Sequence, residues 1–291
     1  MIIAENTIIS QNRAISKSFA KINLTLDILG RMENGYHEIE TVMQTVNLFD
    51  LIIIDKVKEG IFINTNLKFL PTNEKNIAYK AAKAFFDKTG INGGVRMLIH
   101  KNIPVAAGLA GGSGNAAAVL VSLNMLYNLP LSDNELLALG ATLGADIPFC
   151  MFGGTLLCKG IGEKLISMDK FPKKHILLVK PPINISTADI YNAIDNEPMP
   201  EHPTSSQFIN SISNGSYDPQ YMFNVMEIVT ARKNPVIGGI KKKLIMNGAE
   251  AALMSGSGST VFGIFDDYNT AKASADSFSL FYKDVYLTMT N

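Results

Sequence analysis

The sequence PVAAGLAGGSGNAAA, residues 104–118, places four glycines within seven positions and continues directly into an apolar run. Glycine lets backbone N–H groups approach a ligand closely, and the first turn of a helix adds unpaired N–H donors and a partial positive charge. Together, the glycine-rich backbone and the helix start form an anion-binding site, for which phosphate is the expected ligand. The stretch therefore predicts a phosphate-binding loop at the start of a buried helix that extends to about Tyr127.

This glycine-rich loop follows neither of the two common nucleotide-binding spacings. No lysine follows its last glycine, as the G-x-x-x-x-G-K-[ST] loop requires, and no G-x-G-x-x-G spacing is present. A tight turn without a ligand is the alternative, although four glycines exceed what a turn needs.

Composition narrows the class of protein. The chain has 291 residues, 26 Lys+Arg against 26 Asp+Glu, and 47% hydrophobic residues. This balance is typical of a globular protein and argues against a general binder of nucleic acid or anionic membranes, which needs a basic surplus. No apolar run approaches the ~20 residues of a membrane span, and the N-terminus lacks a secretion signal. Cys150 and Cys158 stand in apolar surroundings, so we expect reduced, buried cysteines in a cytoplasmic protein.

The hydrophobic pattern predicts an α+β fold of two domains that meet near residue 164. Apolar and polar residues alternate along residues 18–29, which predicts a half-buried strand with Lys21 and Asn23 on its polar face, away from the core. Isoleucines in the first 16 residues suggest an added strand. Further strands are predicted at residues 50–56, 60–65, 95–100, 153–160, 175–180, 251–254, 261–265 and 285–289.

Capping residues mark several of the predicted helices. Asn76 and Gly90 bound the first helix, and Ser132 with Glu135 forms a capping box for the third. The other helices are predicted from near Asn115, after Ser186, at residues 221–232 and 235–246, and from Thr270. Residues 196–206 are polar and rich in proline, which predicts a loop.

Asp146 is a lone carboxylate within TLGADIPF, residues 142–149. A carboxylate among apolar residues needs a cationic partner or loses its charge, and either condition suits a group that handles protons. Lys21 is one candidate partner. The alternatives are a capping or turn role for Asp146 and a solvated surface position for Lys21.

Two further stretches could contribute to a site. NGYHE, residues 34–38, offers an aromatic face and ring nitrogens that could stack on a base and hydrogen-bond it. SGSGST, residues 255–260, is either a flexible hairpin turn or a loop that reaches back to the glycine-rich loop. The four histidines show no metal-ligand spacing such as H-x-x-x-H, so we expect no histidine metal site.

In this order, four stretches resemble the GHMP kinases, which transfer the γ-phosphate of ATP to small alcohols. They are FAKINLTLDILGRMENGYHEIET (19–41), PVAAGLAGGSGNAAAVLVSLN (104–124), LGADIPFC (143–150) and MSGSGSTVFGIF (254–265). The resemblance implies a two-domain GHMP kinase fold with antiparallel-rich sheets and the active site in the cleft between domains. Residues 1–164 would form the ATP-binding domain and residues 165–291 a ferredoxin-like α+β domain.

NGYHE is similar to one branch of this family. The substrate of that branch is a cytidine diphosphate derivative of methylerythritol, which it phosphorylates on the 2-hydroxyl in the non-mevalonate pathway to isoprenoid precursors. The resemblance implies ATP with Mg²⁺, and a metal held mainly by phosphates and water rather than by protein ligands. It implies small-molecule partners only, with no nucleic acid and no membrane, in a monomer or weak homodimer.

The resemblance also implies roles for individual residues. Asp146 matches the general base and Lys21 the cation that keeps it charged. His37 would read the cytosine edge, and Tyr191 would stack on the base opposite Tyr36. The substrate-binding positions implied are Asn23, Tyr36, His37, Thr187 and Tyr191. The ATP phosphate loop implied comprises Pro104, Val105, Ala106, Ala107, Gly108, Leu109, Ala110, Gly111, Gly112, Ser113 and Gly114.

Gly114 departs from the family pattern, because relatives usually carry Ser or Thr there. Phe19 and Ser259 also depart, each in place of a frequent proline, and both changes are expected to be harmless. Losing one charge-assisted hydrogen bond costs about 1.5–3 kcal/mol, although Ser113 could compensate. We expect an active enzyme with weakened ATP handling, which a Gly114→Ser comparison would reveal.

Two other functions remain open on the sequence. One is a GHMP kinase for another alcohol, such as a sugar or mevalonate. The other is a catalytically silent nucleotide-binding relative, with Gly114 as a mark of decay.

Overall fold

The computed structural model describes residues 6–196, 200–212 and 215–291. Its helices and strands alternate irregularly along the chain, and the sheets pair mainly antiparallel, which confirms the α+β prediction. The strands are β1 Thr7–Ser10, β2 Arg13–Arg31, β3 His37–Val57, β4 Gly60–Thr65, β5 Gly94–His100, β6 Thr155–Lys159, β7 Lys164–Ser167, β8 His175–Lys180, β9 Phe223–Asn224, β10 Ala251–Met254, β11 Val261–Phe265 and β12 Asp284–Met289. The helices are α1 Ile77–Thr89, α2 Gly111–Leu126, α3 Asp133–Leu143, α4 Ile147–Phe152, α5 Thr187–Ile194, α6 Ser205–Ser211, α7 Val225–Lys233, α8 Pro235–Met246 and α9 Tyr268–Ser279.

The chain divides into two compact units. The first unit comprises Met1–Ala20, Leu48–Val105 and Ala110–Gly153, and the second comprises Lys21–Asn47, Ala106–Leu109 and Gly154–Asn291. Strands β2 and β3 and the glycine-rich loop each contribute residues to both units. The domain boundary expected near residue 164 stays a prediction.

The first unit is built around helix α2. The second half of β3 pairs antiparallel with β5, β4 pairs with β5 in parallel, and β1 pairs antiparallel with the start of β2. Twelve of the sixteen residues of α2 are buried, which confirms the prediction of a buried helix. Strand β1 is the added strand suggested by the N-terminal isoleucines; Ile2 and Ile3 lie outside the described residues.

Local capping sets the ends of α1 and α3 as predicted. Asn76 Oδ1 accepts a hydrogen bond from Ala78 N at 2.9 Å, and Gly90 ends the helix with φ 67°. Ser132 and Glu135 form the expected capping box. Helix α2 begins at Gly111, four residues earlier than predicted, because its glycines continue the helical hydrogen bonding back towards the loop.

The second unit contains a four-stranded antiparallel sheet in the order β10-β11-β8-β12. Helices α8 and α9 pack on this sheet, and the core includes buried residues from each layer, such as Leu177, Leu244, Phe265 and Phe278. The first half of β3 pairs antiparallel with β6, β6 with β7, and the end of β2 pairs in parallel with β9.

The structure corrects one expectation about this unit and adds a helix that was not predicted. The helix expected at residues 221–232 begins only at Val225, because Asn224 Oδ1 accepts from Met226 N at 3.0 Å and caps it; a 3-10 turn and β9 precede it. The loop expected at residues 196–206 is confirmed over residues 200–204, and helix α6, which was not predicted, begins at Ser205 after a capping box of Thr204 and Gln207. Residues 197–199 of that expectation lie outside the described residues.

The prediction that Lys21 and Asn23 face away from the core is also wrong. Their exposed fractions are 4% and 0%, and every residue from 20 to 26 is buried. In the second unit, the face of β2 that carries these residues is covered by α6 and by the 255–260 loop. The polar side chains are buried because they bond to one another and to their neighbours.

No helix within the described ranges combines the length and apolar character needed to cross a bilayer.

Candidate functional site

The glycine-rich loop and the 255–260 loop contact each other in the second unit. Ser255 Oγ donates to Gly108 O at 2.9 Å, and Thr260 N donates to Ala107 O at 3.3 Å. Gly108 has φ 73°, and a β-carbon there would overlap the carbonyl oxygen of Ser255. The 255–260 segment is therefore a loop that reaches back to the glycine-rich loop, as one of the two sequence interpretations held.

Lys21 lies where these two loops meet. Its N–H donates to Leu109 O at 3.2 Å, and its ammonium donates to Asn23 Oδ1 at 2.6 Å. A β-carbon at Gly256 would lie 3.5 Å from both Lys21 Nζ and Asn23 Oδ1. Lys21 is consequently a buried cation beside the loop rather than a solvated surface lysine.

The side-chain amide nitrogen of Asn23 donates to the neighbouring strand β3. Its Nδ2 donates to Thr41 Oγ1 at 2.8 Å, and Thr41 Oγ1 in turn donates to Thr25 O at 2.5 Å. These bonds orient the amide so that its oxygen faces Lys21.

The later part of the glycine-rich loop opens α2 in the first unit. Ala110 is the N-cap, with φ 53°, and no side chain caps the helix there. The N–H groups of the first turn and the positive end of a 16-residue helix therefore meet at Gly111–Ser113. This arrangement suits an anion, as the glycine pattern predicted.

Asp146 is the N-cap residue of α4 in the first unit. It is half-buried, and its side chain does not make the capping hydrogen bond. The capping alternative for the carboxylate therefore finds no support. Lys21 belongs to the other unit, so the pairing of Lys21 with Asp146 stays a prediction.

His37 and Tyr191 come together in the second unit. Their rings stack with centroids 4.4 Å apart and planes inclined by 10°. His37 Nε2 lies 2.6 Å from Asp195 Oδ1, and Arg31 lies 3.9 Å from the other oxygen of that carboxylate. Asp195, the C-cap residue of α5, was missed in the sequence, although it follows Tyr191 by one helical turn, a spacing that places the two residues on the same side.

Thr187 and Tyr36 complete the predicted substrate residues. Thr187 Oγ1 lies 2.8 Å from Ser257 Oγ, which brings the start of α5 to the 255–260 loop. Tyr36 is 61% exposed and follows a turn in which its N–H donates to Asn34 Oδ1 at 3.1 Å. The arrangement of Tyr36 and Tyr191 on opposite faces of a base stays a prediction.

A buried polar network beneath α2 was also missed in the sequence. In the first unit, Asp50 accepts from Lys101 Nζ, from Asn115 Nδ2 at 2.8 Å, and from the N–H groups of Asn102 and Ile103 at 2.7 and 2.8 Å. Burial lowers the pKa of Lys101, although Asp50 opposes that shift. A β-carbon at Gly111 would lie 3.0 Å from the Lys101 ammonium, so the network directly supports the start of α2. The sequence does contain a signal for this network, because Asn115 is a polar residue within an apolar helix.

Within the described ranges, no three His, Cys, Asp or Glu side chains are grouped so that they could hold a metal ion.

Comparisons with known proteins agree with this organisation. The family described as "GHMP kinases N terminal domain" matches residues 76–154, and "GHMP kinases C terminal" matches residues 209–284. The 4-diphosphocytidyl-2-C-methyl-D-erythritol kinase of Alkaliphilus oremlandii (strain OhILAs) is 48% identical, over 94% of this chain and 95% of its own. The enzyme of the same name from Clostridium novyi (strain NT) is 44% identical, over 94% of this chain and 99% of its own. A crystal structure of 4-(cytidine 5'-diphospho)-2C-methyl-D-erythritol kinase superposes with a TM-score of 0.82 at 30% identity, covering 95% of this chain and 99% of the other. The chain therefore belongs to the GHMP kinase family and groups with its 4-diphosphocytidyl-2-C-methyl-D-erythritol kinases.

Proposed function

We propose that this protein transfers the γ-phosphate of ATP to the 2-hydroxyl of 4-diphosphocytidyl-2-C-methyl-D-erythritol, giving the 2-phosphate and ADP. This reaction belongs to the non-mevalonate pathway to isoprenoid precursors. The observation that carries the proposal is identity of 44–48% with kinases of that name over almost the whole length of both chains.

Asp146 is the proposed general base, and Lys21 is its electrostatic partner. The substrate oxygen attacks the γ-phosphorus, its proton passes to the Asp146 carboxylate, and the bond from the γ-phosphorus to the bridging oxygen breaks to release ADP. The observation that supports these roles is that Lys21 is buried against the glycine-rich loop, where its N–H donates to Leu109 O.

The glycine-rich loop, Pro104 to Gly114, is proposed to hold the ATP phosphates. The support is the start of α2 without a side-chain cap, together with the closely packed glycines Gly108 and Gly256. Mg²⁺ is proposed to accompany ATP and would neutralise phosphate charge during the transfer.

The cytidine end of the substrate is assigned to the cluster around His37. A ring nitrogen of His37 could bond the polar edge of cytosine, and Tyr191 and Tyr36 offer aromatic faces for stacking. Asn23 and Thr187 are proposed to contact the same substrate. Asp195 supports this assignment, because its bond to His37 Nε2 fixes the direction of the imidazole ring.

The test is release of ADP from ATP and Mg²⁺ with four alcohols offered separately: the cytidine substrate, mevalonate, homoserine and galactose. We expect turnover with the cytidine substrate alone. The Asp146→Asn variant, purified identically, measures contaminating ATPase. Turnover with a different alcohol would replace the substrate assignment. Binding of ATP without turnover on any of them would favour the silent relative.

Location and oligomeric state are proposed as expected from the sequence: a cytoplasmic protein, as monomer or weak homodimer, with small-molecule partners only. Sedimentation at two protein concentrations would test the oligomeric state.

A further inference from the structure

Gly114 faces Ser18 across the contact between α2 and β2 in the first unit. Gly114 has an ordinary helical backbone, and its N–H donates to Ala110 O at 2.8 Å, so its conformation does not require glycine. The space beside residue 114, however, has no room for a side chain, and this does require glycine. A β-carbon at residue 114 would lie 2.6 Å from Ser18 Oγ and 3.3 Å from the carbonyl oxygen of Phe19. Favourable contacts begin at about 3.5 Å, so the Ser18 hydroxyl fills the place that a side chain would need.

The Ser18 hydroxyl is held in that place. Ser18 is 3% exposed, and its Oγ accepts from Asn115 Nδ2 at 3.2 Å. Two residues earlier on the same face of β2, Ser16 Oγ lies 2.6 Å from Ser122 Oγ of α2. Strand β2 therefore presents a row of hydroxyls to α2, and rotating Ser18 away would break its bond to Asn115.

Asn115 links this contact to the glycine-rich loop. Its amide also donates to Asp50 Oδ2 at 2.8 Å and accepts from Lys101 Nζ at 3.2 Å. The Lys101 ammonium lies against Gly111, the first residue of α2. Hydrogen bonds thus run from Ser18 through Asn115 to Asp50 and Lys101, and the Lys101 ammonium packs beside Gly111, the residue at which α2 begins.

We propose that Ser18 and Gly114 form a matched pair, in which the Ser18 hydroxyl fills the space beside residue 114 and, through Asn115, positions the first turn of α2. Ser18 is a positioning residue for the phosphate loop. The proposal rests on the proposed function for its ATP readout. On this proposal, the steric fit to Ser18 explains why residue 114 is a glycine, and this glycine is not a sign of lost activity. Gly114→Ser should impair the enzyme, in place of the gain expected from the resemblance alone.

A double-variant comparison tests the pair. The variants are Ser18→Ala, Gly114→Ser and the two combined. Ser16→Ala is the matched control, because it removes a buried hydroxyl of β2 that contacts α2 further along the helix, at Ser122. Three properties are measured for each variant: the midpoint of thermal unfolding, KM for ATP and kcat determined separately, and the affinity for ADP without a second substrate. We expect Gly114→Ser to raise KM for ATP and to weaken ADP binding by about tenfold. The combined variant should recover most of this loss, because the Ser18 β-carbon would be 3.9 Å from the new one.

Ser18→Ala should raise KM for ATP several-fold, whereas Ser16→Ala should leave it unchanged. The proposal is overturned if Gly114→Ser behaves as wild type, or if the combined variant is no better than Gly114→Ser. Loss of thermal stability without any change in KM or ADP affinity would also overturn the positioning role. If Gly114→Ser does not fold, Gly114→Ala with and without Ser18→Ala adds the β-carbon alone. Should no alcohol be phosphorylated, the proposed function fails, while ADP affinity still measures the pair.

Discussion

The imidazole of His37 lies flat on the ring of Tyr191, with centroids 4.4 Å apart and planes inclined by 10°. His37 comes from NGYHE and Tyr191 from α5, and Asp195, the C-cap residue of α5, hydrogen-bonds the imidazole. An aromatic face, a ring nitrogen and a carboxylate that orients it are thus assembled by one unit of the chain. This is the chemistry that recognises a planar base.

Tyr191→Ala should therefore weaken binding of the cytidine substrate. Stacking of a base on an aromatic side chain contributes about 1–3 kcal/mol, so KM for this substrate should rise about tenfold or more, while KM for ATP stays unchanged. Tyr191→Phe keeps the ring and is the matched control. Steady-state kinetics with each substrate varied in turn measure both constants. An equal rise in the two KM values would show that the ring supports the fold rather than the cytidine site.

Asp146→Asn should lower kcat by about 10²–10⁴-fold, because the amide cannot accept the hydroxyl proton. Binding of ATP should stay near the wild-type value, which calorimetric titration can measure. Asp133→Asn, at an exposed acid in the first turn of α3, controls for loss of a negative charge. Phosphoryl transfer at the wild-type rate would remove Asp146 from the mechanism.

Asp50→Ala should destabilise the protein by about 3–5 kcal/mol, since it leaves the buried Lys101 ammonium and two backbone N–H groups without their acceptor. Urea unfolding measures the loss. The exposed pair of Arg13 and Asp55 offers a control, and Asp55→Ala should have a much smaller effect. Adding Lys101→Met to Asp50→Ala should recover part of the stability; no recovery would mean that the buried charge is not the cause.

Ala110→Gly should stabilise the protein. Ala110 has φ 53°, and the left-handed conformation costs a residue with a β-carbon about 1–2 kcal/mol. After the greater entropy loss of glycine on folding, a gain of up to ~1 kcal/mol remains, equivalent to ~2–4 °C in Tm. Ala84→Gly, within α1, is the opposite control and should lower Tm. A lower Tm for Ala110→Gly would show that the alanine methyl contributes more than the strain costs.

Asp267 should contribute to acid unfolding. Hydrogen bonds from the Thr270 backbone N–H and hydroxyl lower its pKa below the ordinary 3.8. Because the folded protein holds this carboxylate ionised more strongly than the unfolded chain, its stabilisation is present above pH 3.8 and is lost as the pH falls through the lowered pKa. Asp267→Asn keeps a capping oxygen but does not titrate. The unfolding free energy of this variant should fall less steeply below pH 4 than that of wild type. If the two proteins lose stability equally as the pH falls, Asp267 does not contribute to acid unfolding.

Local features of the fold were predictable because neighbouring residues produce them. The α1 helix between Asn76 and Gly90, and the capping box of Ser132 and Glu135, depend on side chains within one turn of the helix end. The start of α2 in the glycine-rich loop was predictable for the same reason, since the glycines and the helix are adjacent in the chain.

By itself, the sequence determined the local elements, the glycine-rich loop and the family to which the chain belongs. Tertiary structure decided which polar groups are buried. The alternation along β2 placed Lys21 and Asn23 on a polar face, and only folding brings Ser255 onto that face, 232 residues from Asn23. From the sequence, Gly114 is interpreted as the loss of a hydroxyl group. In the folded protein, the hydroxyl of Ser18 on strand β2 occupies the space beside Gly114. The reason is physical: capping and turn geometry act between neighbours in the chain, whereas burial and steric fit depend on segments that meet only in the folded protein.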